Sequence, residues 1–266
     1  MSNFVIPEIK AAEEEMIAIR HYLHAHPELS LEEFNTSELV AEKLAEWGYA
    51  VTRELGKTGL VGSLTKGHSA RTIGLRADMD ALPIFETTEL PWASTVAGKM
   101  HACGHDGHTT ILLAAAKYIA SPACQFNGTV HVIFQPAEEA IGGADLMIKD
   151  GLFERFPCDC VFALHNMPGL PVGKLGFYAG NFMASADAVK ITIHGYGGHG
   201  AHPERAVDPI LAGSALVMAL QSIVARNVPP GETAVVTVGT FQSGIASNVI
   251  PESAVMELTV RAMKQE

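Results

Sequence analysis

The most informative stretch of the sequence is Lys99-Met-His-Ala-Cys-Gly-His-Asp-Gly-His-Thr109, which lies just before an apolar helical run. It offers a thiol at Cys103 and an imidazole at His105, with Gly104 between them. On an extended stretch, residues at i and i+2 point to the same side, where one cation could contact both. The stretch therefore predicts a metal site, with Cys103 bound as a thiolate.

Outward from this stretch, hydrophobic periodicity predicts alternating strands and helices. Strands are predicted at 50–54, 59–65, 71–77, 129–135 and 160–164, and helices at 8–24, from Asn35 or Thr36 to Trp47, from a cap at Asp106 to Ala120, and at 143–150. This alternation is typical of an α/β layer. The pattern changes past Gly180, with a strand at 186–194, a helix at 208–224 and strands at 233–241 and 253–261. We therefore expect two domains, 1–180 and 181–266.

Composition limits the classes of function. The chain has 266 residues and a net charge of −11, and no Lys/Arg cluster is present to bind a phosphate backbone. The sequence begins without a signal-peptide pattern and has no uninterrupted apolar stretch of about 18 residues. We expect no nucleic-acid partner, no membrane association and a cytoplasmic location, with the four cysteines reduced.

Two further groups of residues that could bind a metal follow predicted strands, at the end of the sheet where α/β proteins usually bind small molecules. Glu138 and Glu139 follow the strand ending Val-Ile-Phe-Gln-Pro-Ala, and His165 follows the strand ending Ala-Leu. Adjacent side chains diverge, so one glutamate can bind metal while the other acts as general base. Taken alone, the pair could equally be two solvated acids in a loop, and a lone strand-end histidine is more often a hydrogen-bonded surface residue.

Asp78 and Asp80 end another strand and share a face. Either could orient a ligating imidazole through its second nitrogen. Formation of a turn ahead of Pro83 explains the two acids nearly as well, and this reasoning leaves His101 and His108 unassigned.

Three other chemistries are weaker. Gly195-Tyr-Gly-Gly-His-Gly200 fits the dinucleotide-binding fingerprint, but the helix opens too late and no acid stands about 20 residues on, so its glycines fit a tight turn that leaves His199 exposed on a mobile loop. A serine hydrolase needs Gly-x-Ser-x-Gly, which does not occur in the sequence. Cys103 as a nucleophile would leave the glutamates and His165 without a role.

Four motifs in order, Leu-Arg-Ala-Asp-Met-Asp-Ala-Leu-Pro83, Met-His-Ala-Cys-Gly-His-Asp-Gly-His108, Gln-Pro-Ala-Glu-Glu139 and Leu-His-Asn-Met-Pro168, resemble the metal-dependent aminoacylase and carboxypeptidase family. The most similar branch is that of the hippurate hydrolases, which includes auxin-conjugate amidohydrolases and bacterial N-acyl-amino-acid deacylases. The similarity extends from the first helix to the last residues.

The resemblance implies two divalent metal ions (zinc, manganese, nickel or cobalt), the ligands Cys103, His105, Glu139 and His165, and Glu138 as the base. We expect Asp80 to be one of the catalytic residues, as the acid that orients a ligating imidazole. The implied reaction is hydrolysis of the amide bond of N-acyl amino acids.

The resemblance also implies a mixed-sheet, metallopeptidase-like catalytic domain with a smaller inserted α+β, ferredoxin-like domain that acts as lid and pairs two subunits. From that lid His199 would reach the partner's active site and stabilise the oxyanion, and Asn248 would hold substrate. Family members run on for more than 100 further residues, which supply a last histidine ligand, so both domains are expected to be truncated at the C-terminus. The alternative is therefore a truncated, inactive metal-binding or dimerisation fragment.

Overall fold

The computed structural model describes residues 5–139 and 142–264, and the chain divides into two compact units, Met1–Gly169 and Leu170–Glu266. The elements of the first unit are α1 (Pro7–Ala11), α2 (Glu13–Ala25), α3 (Phe34–Glu46), β1 (Ala50–Leu55), β2 (Gly59–Lys66), β3 (Thr72–Asp78), α4 (His105–Ala120), β4 (Gly128–Gln135), α5 (Gly143–Lys149), α6 (Leu152–Arg155) and β5 (Cys160–Ala163).

The five strands form one mixed sheet in the order β1-β2-β4-β3-β5. β2 runs antiparallel to β1 and β4, whereas β3 runs parallel to both β4 and β5. The carboxyl-terminal ends of β3, β4 and β5 therefore lie at the same end of the sheet, where Asp78 is paired with Gln135. The α/β class and the mixed sheet are confirmed.

Strand β4 carries the core because helices cover both of its faces. Val132 and Phe134 point to one side and pack in a cluster with Leu113 of α4, while Ile133 points to the other and packs with Met147 of α5. All of these side chains are buried. The alternation of a strand thus builds a layer on each face. By contrast, β5 is an edge strand whose Phe162 side chain is exposed.

The start of α4 differs from the prediction. The helix begins at His105, and its N-cap is Gly104 in a left-handed conformation (φ 89°), so Asp106 does not cap it. Cys103 and His105 therefore stand on a turn that enters a helix, not on an extended stretch. A Cβ at Gly104 would lie 2.6 Å from Oδ1 of Asn166, so glycine is required there for space as well as for backbone conformation.

The second unit has a three-stranded antiparallel sheet with one long helix. Its elements are β6 (Asp187–His194), β7 (Gly198–His199), a short 3-10 helix (Pro203–Arg205), α7 (Pro209–Asn227), β8 (Ala234–Ser243), β9 (Val249–Ile250) and β10 (Ser253–Ala262). The sheet order is β6-β10-β8, and α7 approaches it closely at Gly213, where an added Cβ would lie 2.6 Å from Phe241. Of the described helices, α7 alone is long and apolar enough to cross a membrane by length and composition, which is weak evidence for a span.

Candidate metal centre

Side chains that could bind a metal ion gather at the carboxyl-terminal ends of β3, β4 and β5. Among the described residues, three groups each bring three ligand atoms within 4.8 Å of one another, and all three groups contain His105. The groups are Cys103 with His105 and His165; Asp78 with His105 and His108; and His105 with Glu138 and Glu139. The four residues predicted as ligands and the predicted base are thus brought together.

His105 lies at the middle of this cluster. Its side chain is fully buried, and neither ring nitrogen has an aligned hydrogen-bond partner among residues 5–139 and 142–264. Nε2 is 3.7 Å from Oε1 of Glu139 and 3.9 Å from Oε2 of Glu138. That Glu139 oxygen is also buried without a partner. Buried polar atoms without partners are rare, and a cation between the two side chains would satisfy both.

Charge at the cluster favours cations. Burial opposes protonation of His105, but the carboxylates of Asp80 and Asp78 prevail and raise the pKa of the imidazole. Burial and the neighbouring Glu139 charge raise the pKa of Glu138. An unscreened group of acids is repulsive, and a divalent cation relieves that repulsion.

Cys103 and His165 form the outer part of the cluster. Sγ of Cys103 lies 3.4 Å from Nε2 of His165. Burial, reinforced by the carboxylate of Glu139, raises the pKa of the Cys103 thiol to about 12. The thiol is therefore neutral at pH 7 unless a cation binds it, since metals deprotonate coordinating thiols.

Asp80 connects the two halves of the cluster. Oδ1 accepts the backbone N–H of Glu138 and Oδ2 that of Glu139, each at 3.0 Å, and Ser30 donates its hydroxyl to Oδ2 at 2.7 Å. Oδ1 also lies 3.3 Å from Nδ1 of His105, outside hydrogen-bond alignment. Burial opposes ionisation, yet His105 and these donors hold the pKa of Asp80 below its usual range. Asp80 therefore fixes the glutamate pair as well as facing the imidazole.

His108 belongs to the site although the sequence left it unassigned. Its Nδ1 lies 2.7 Å from Oδ1 of Asp78, and its Nε2 lies 2.6 Å from Oδ1 of Asn166, the residue after His165. Asp78 also accepts from Nη1 of Arg76 at 2.7 Å. The spacing in the sequence could have indicated this, because His108 follows His105 by three residues and residues three apart lie on the same face of a helix.

The start of α4 is anchored by a partly buried network of polar side chains. Asp106 accepts from Nε of Arg20 at 3.2 Å and lies 3.0 Å from Nδ1 of His24, whose Nε2 is 3.2 Å from Glu86. His101, also unassigned, is buried beside His24, and burial lowers its pKa to about 4. It is therefore a neutral imidazole.

His199 and Asn248 lie together in the second unit. His199 pairs with Val249 between β7 and β9, and the N–H of Gly200 donates to the backbone oxygen of Asn248 at 2.7 Å. Nδ1 of His199 accepts the N–H of Ala201 at 3.1 Å, and the ring is exposed. Their roles toward substrate remain predictions.

Comparisons with known proteins give the family that the chain matches. Residues 74–265 match the family described as Peptidase family M20/M25/M40. The chain is 54% identical over 262 residues to the hippurate hydrolase of Campylobacter jejuni (98% of this chain, 68% of that protein) and 43% identical over 258 residues to the N-acetyl-L-cysteine deacetylase of Bacillus subtilis (97% and 62%).

A solved structure of a dinuclear metal-binding peptidase of the M20 family from Bacillus subtilis superposes with a TM-score of 0.77 at 37% identity, over 96% of this chain and 66% of that one. The chain thus spans 62% to 68% of the length of these three proteins.

Proposed function

Since the chain belongs to peptidase family M20/M25/M40, as its four motifs predicted, we propose that it hydrolyses the amide bond of N-acyl amino acids at a centre of two divalent cations. The observation that carries the proposal is the convergence of a thiol, imidazoles and carboxylates on His105, whose buried nitrogens have no aligned partner in the described part of the chain. The two named relatives, a hippurate hydrolase and an N-acetyl-L-cysteine deacetylase, support an acylated amino acid as the substrate class.

Cys103, His105, Glu139 and His165 would hold the cations. A donor set of thiolate, imidazole and carboxylate suits zinc, manganese, nickel or cobalt. When bound, such cations supply Lewis acidity, which polarises a carbonyl group and lowers the pKa of water.

Glu138 would move the proton. Burial raises the pKa of Glu138 toward neutral pH, where a general acid–base is most effective. Its side chain is 41% exposed against 21% for Glu139, so it is the more accessible of the pair. Glu138 accepts a proton from the attacking water and returns it to the leaving nitrogen, while Asp80 holds its backbone in place.

The second unit would act as a lid and pair two copies of the chain. His199 is proposed to donate to the carbonyl oxygen of a substrate bound by the partner subunit, with Asn248 helping to hold that substrate. We also propose a cytoplasmic location. Sedimentation of the purified chain tests the pairing: a dimer is expected, and a monomer at all concentrations would exclude it.

A second candidate is a metal-binding or dimerisation protein without turnover. It is favoured by the exposed apolar side chains Val161 and Phe162 on edge strand β5, which offer a surface to a partner.

Metal content and turnover of the wild type and Glu138→Gln separate these candidates. Acetyl, benzoyl and indole-acetyl amino acids form the substrate panel, and the exposed Glu14→Gln is the matched control. The proposal expects equal metal content in all three proteins and turnover in all but Glu138→Gln, which should lose at least about 100-fold. Undiminished turnover of Glu138→Gln would remove it as the base, and a metal-loaded but inactive wild type would favour the second candidate.

A further inference from the structure

Glu33 is a buried acid that lies far along the chain from the candidate ligands and has not yet been given a role. Glu33 is the N-cap residue of α3, a position where the side chain of Ser, Thr, Asp or Asn usually accepts from the first helical N–H groups, and its own side chain makes no cap hydrogen bond. Instead the side chain turns inward and is completely buried. Burying an acid is unfavourable, so the partners that hold it inside identify what it does.

Among the described residues, the carboxyl of Glu33 has two hydrogen-bond partners from distant parts of the chain. Oε1 accepts the backbone N–H of Ala137 at 2.8 Å, and Oε2 lies 2.5 Å from the hydroxyl of Thr58. Ala137 is the residue immediately before Glu138 and Glu139. Glu33 therefore contacts the backbone from which the base and a ligand project.

Ala137 also has an uncommon backbone. Its φ is 49°, in the left-handed region that disfavours residues with a Cβ. Its carbonyl oxygen accepts the N–H of Gly143 at 2.9 Å, so both of its peptide groups are held. A strained conformation persists only where its surroundings fix it, and such residues concentrate at functional sites.

Two buried carboxyls thus hold three consecutive N–H groups, Glu33 that of Ala137 and Asp80 those of Glu138 and Glu139. The loop has little room to adjust, because a Cβ on Gly143 would lie 1.8 Å from the carbonyl oxygen of Pro136. A change in the peptide at Ala137 would therefore redirect the two side chains that follow.

We propose that Glu33 is a positioning residue of the hydrolytic site: its buried carboxyl holds Ala137 in the left-handed conformation and so sets the directions of Glu138 and Glu139. This inference rests on the proposed function, in which Glu138 is the base and Glu139 a ligand. It adds a residue of α3 that touches neither substrate nor metal.

The reach of the side chain, not its charge, is what the site requires. Burial raises the pKa of Glu33 and favours the neutral acid, although the bonds from Thr58 and Ala137 oppose this. Glutamine has the same reach, because its oxygen can accept from Ala137 and its NH2 can donate to Thr58. Aspartate keeps the acid but withdraws it from Ala137 by one methylene.

Titration of the chain with Co²⁺, followed by its visible absorption spectrum, tests the inference without relying on turnover. Glu33→Asp is expected to change the spectrum and weaken Co²⁺ binding about 10-fold or more, whereas Glu33→Gln should keep both close to wild type. Thr58→Val, which leaves the bond to Ala137 intact, is the matched control and should behave like wild type. Where turnover is measurable, Glu33→Asp should lower kcat more than it raises KM.

The possible outcomes separate the two proposals. A wild-type spectrum in Glu33→Asp, or equal losses in Glu33→Asp and Glu33→Gln, would overturn the positioning role alone. A wild-type chain that takes up no Co²⁺ would overturn the proposed function and this inference with it.

Discussion

Oδ1 of Asp80 faces Nδ1 of His105 at 3.3 Å while it also accepts the backbone N–H of Glu138. One carboxylate therefore links the first residue of α4 to the loop after β4. Because these elements carry different ligands, the geometry of the whole cluster depends on this side chain.

Replacing Asp80 should weaken metal binding without removing a ligand. Groups that orient ligating imidazoles typically contribute 10- to 100-fold in affinity, so Asp80→Asn is expected to lose about that much in a competition titration with a zinc-chelating dye. Ser30→Ala removes just one hydrogen bond to Asp80 and should stay within about threefold of wild type. Unchanged affinity in Asp80→Asn would show that the carboxylate does not orient the site.

Metal binding should displace a proton from Cys103. The pKa of this thiol is raised to about 12, so the group is protonated throughout the neutral range and the ligand form must lose a proton. Co²⁺ affinity is therefore expected to rise with pH. Release of the Cys103 proton should contribute a factor of about ten in affinity per pH unit, and Cys103→Ser should remove that contribution. Cys160→Ser, at an exposed cysteine, serves as the control. Equal slopes in wild type and Cys103→Ser would contradict thiolate ligation.

Asp78 should stabilise the first unit above pH 4. Burial raises its pKa, but His108 and Arg76 prevail and hold it well below the ordinary 3.8. A lowered folded-state pKa means that the stabilisation is complete above the unfolded-state value and is lost as pH falls below it. Asp78→Asn should cost about 3 kcal/mol at pH 7, and the difference from wild type should shrink below about pH 4.

Urea unfolding followed by tryptophan fluorescence measures this difference, since Trp47 and Trp92 both lie in the first unit. Asp145→Asn, at an exposed ion pair with Lys149, should change the free energy of unfolding by less than about 0.5 kcal/mol. A loss from Asp78→Asn that stays constant down to pH 3 would exclude the proposed linkage.

Two glycines with left-handed φ should respond differently to alanine. Among the residues that the structure describes, none lies within 4 Å of a Cβ added to Gly142 (φ 74°), so Gly142→Ala should cost about 1 kcal/mol of unfolding free energy and leave zinc affinity unchanged. Gly104→Ala meets Asn166 as well and should both destabilise the unit further and weaken zinc binding. Thermal unfolding and dye competition report the two effects. Equal behaviour of the two variants would show that the turn before His105 tolerates a side chain.

The convergence of the candidate ligands could be predicted because parallel strands bring their carboxyl ends to the same end of a sheet. Glu139 and His165 are separated by 26 positions in the sequence, but β4 and β5 flank β3 and end on the same side. Hydrophobic periodicity alone predicts these strands, and the metal-binding residue types that follow them predict the site.

Contacts made by packing could not be predicted. Asp106 looked like a helix cap, yet its partner is His24, which lies 82 positions earlier in the chain. Glu33 meets Ala137 across 104 positions, and no local pattern indicates that pairing. Gly104 is ambiguous in the sequence, because a glycine between two candidate ligands suits a left-handed turn as well as an extended stretch.

An anomalous-difference map from crystals of the zinc-loaded chain tests the central claim most directly. The account predicts zinc within about 2.0–2.4 Å of Sγ of Cys103 and of ligand atoms from His105, Glu139 and His165. Zinc bound elsewhere, for example at Cys158 and Cys160, with no peak beside His105, would contradict it.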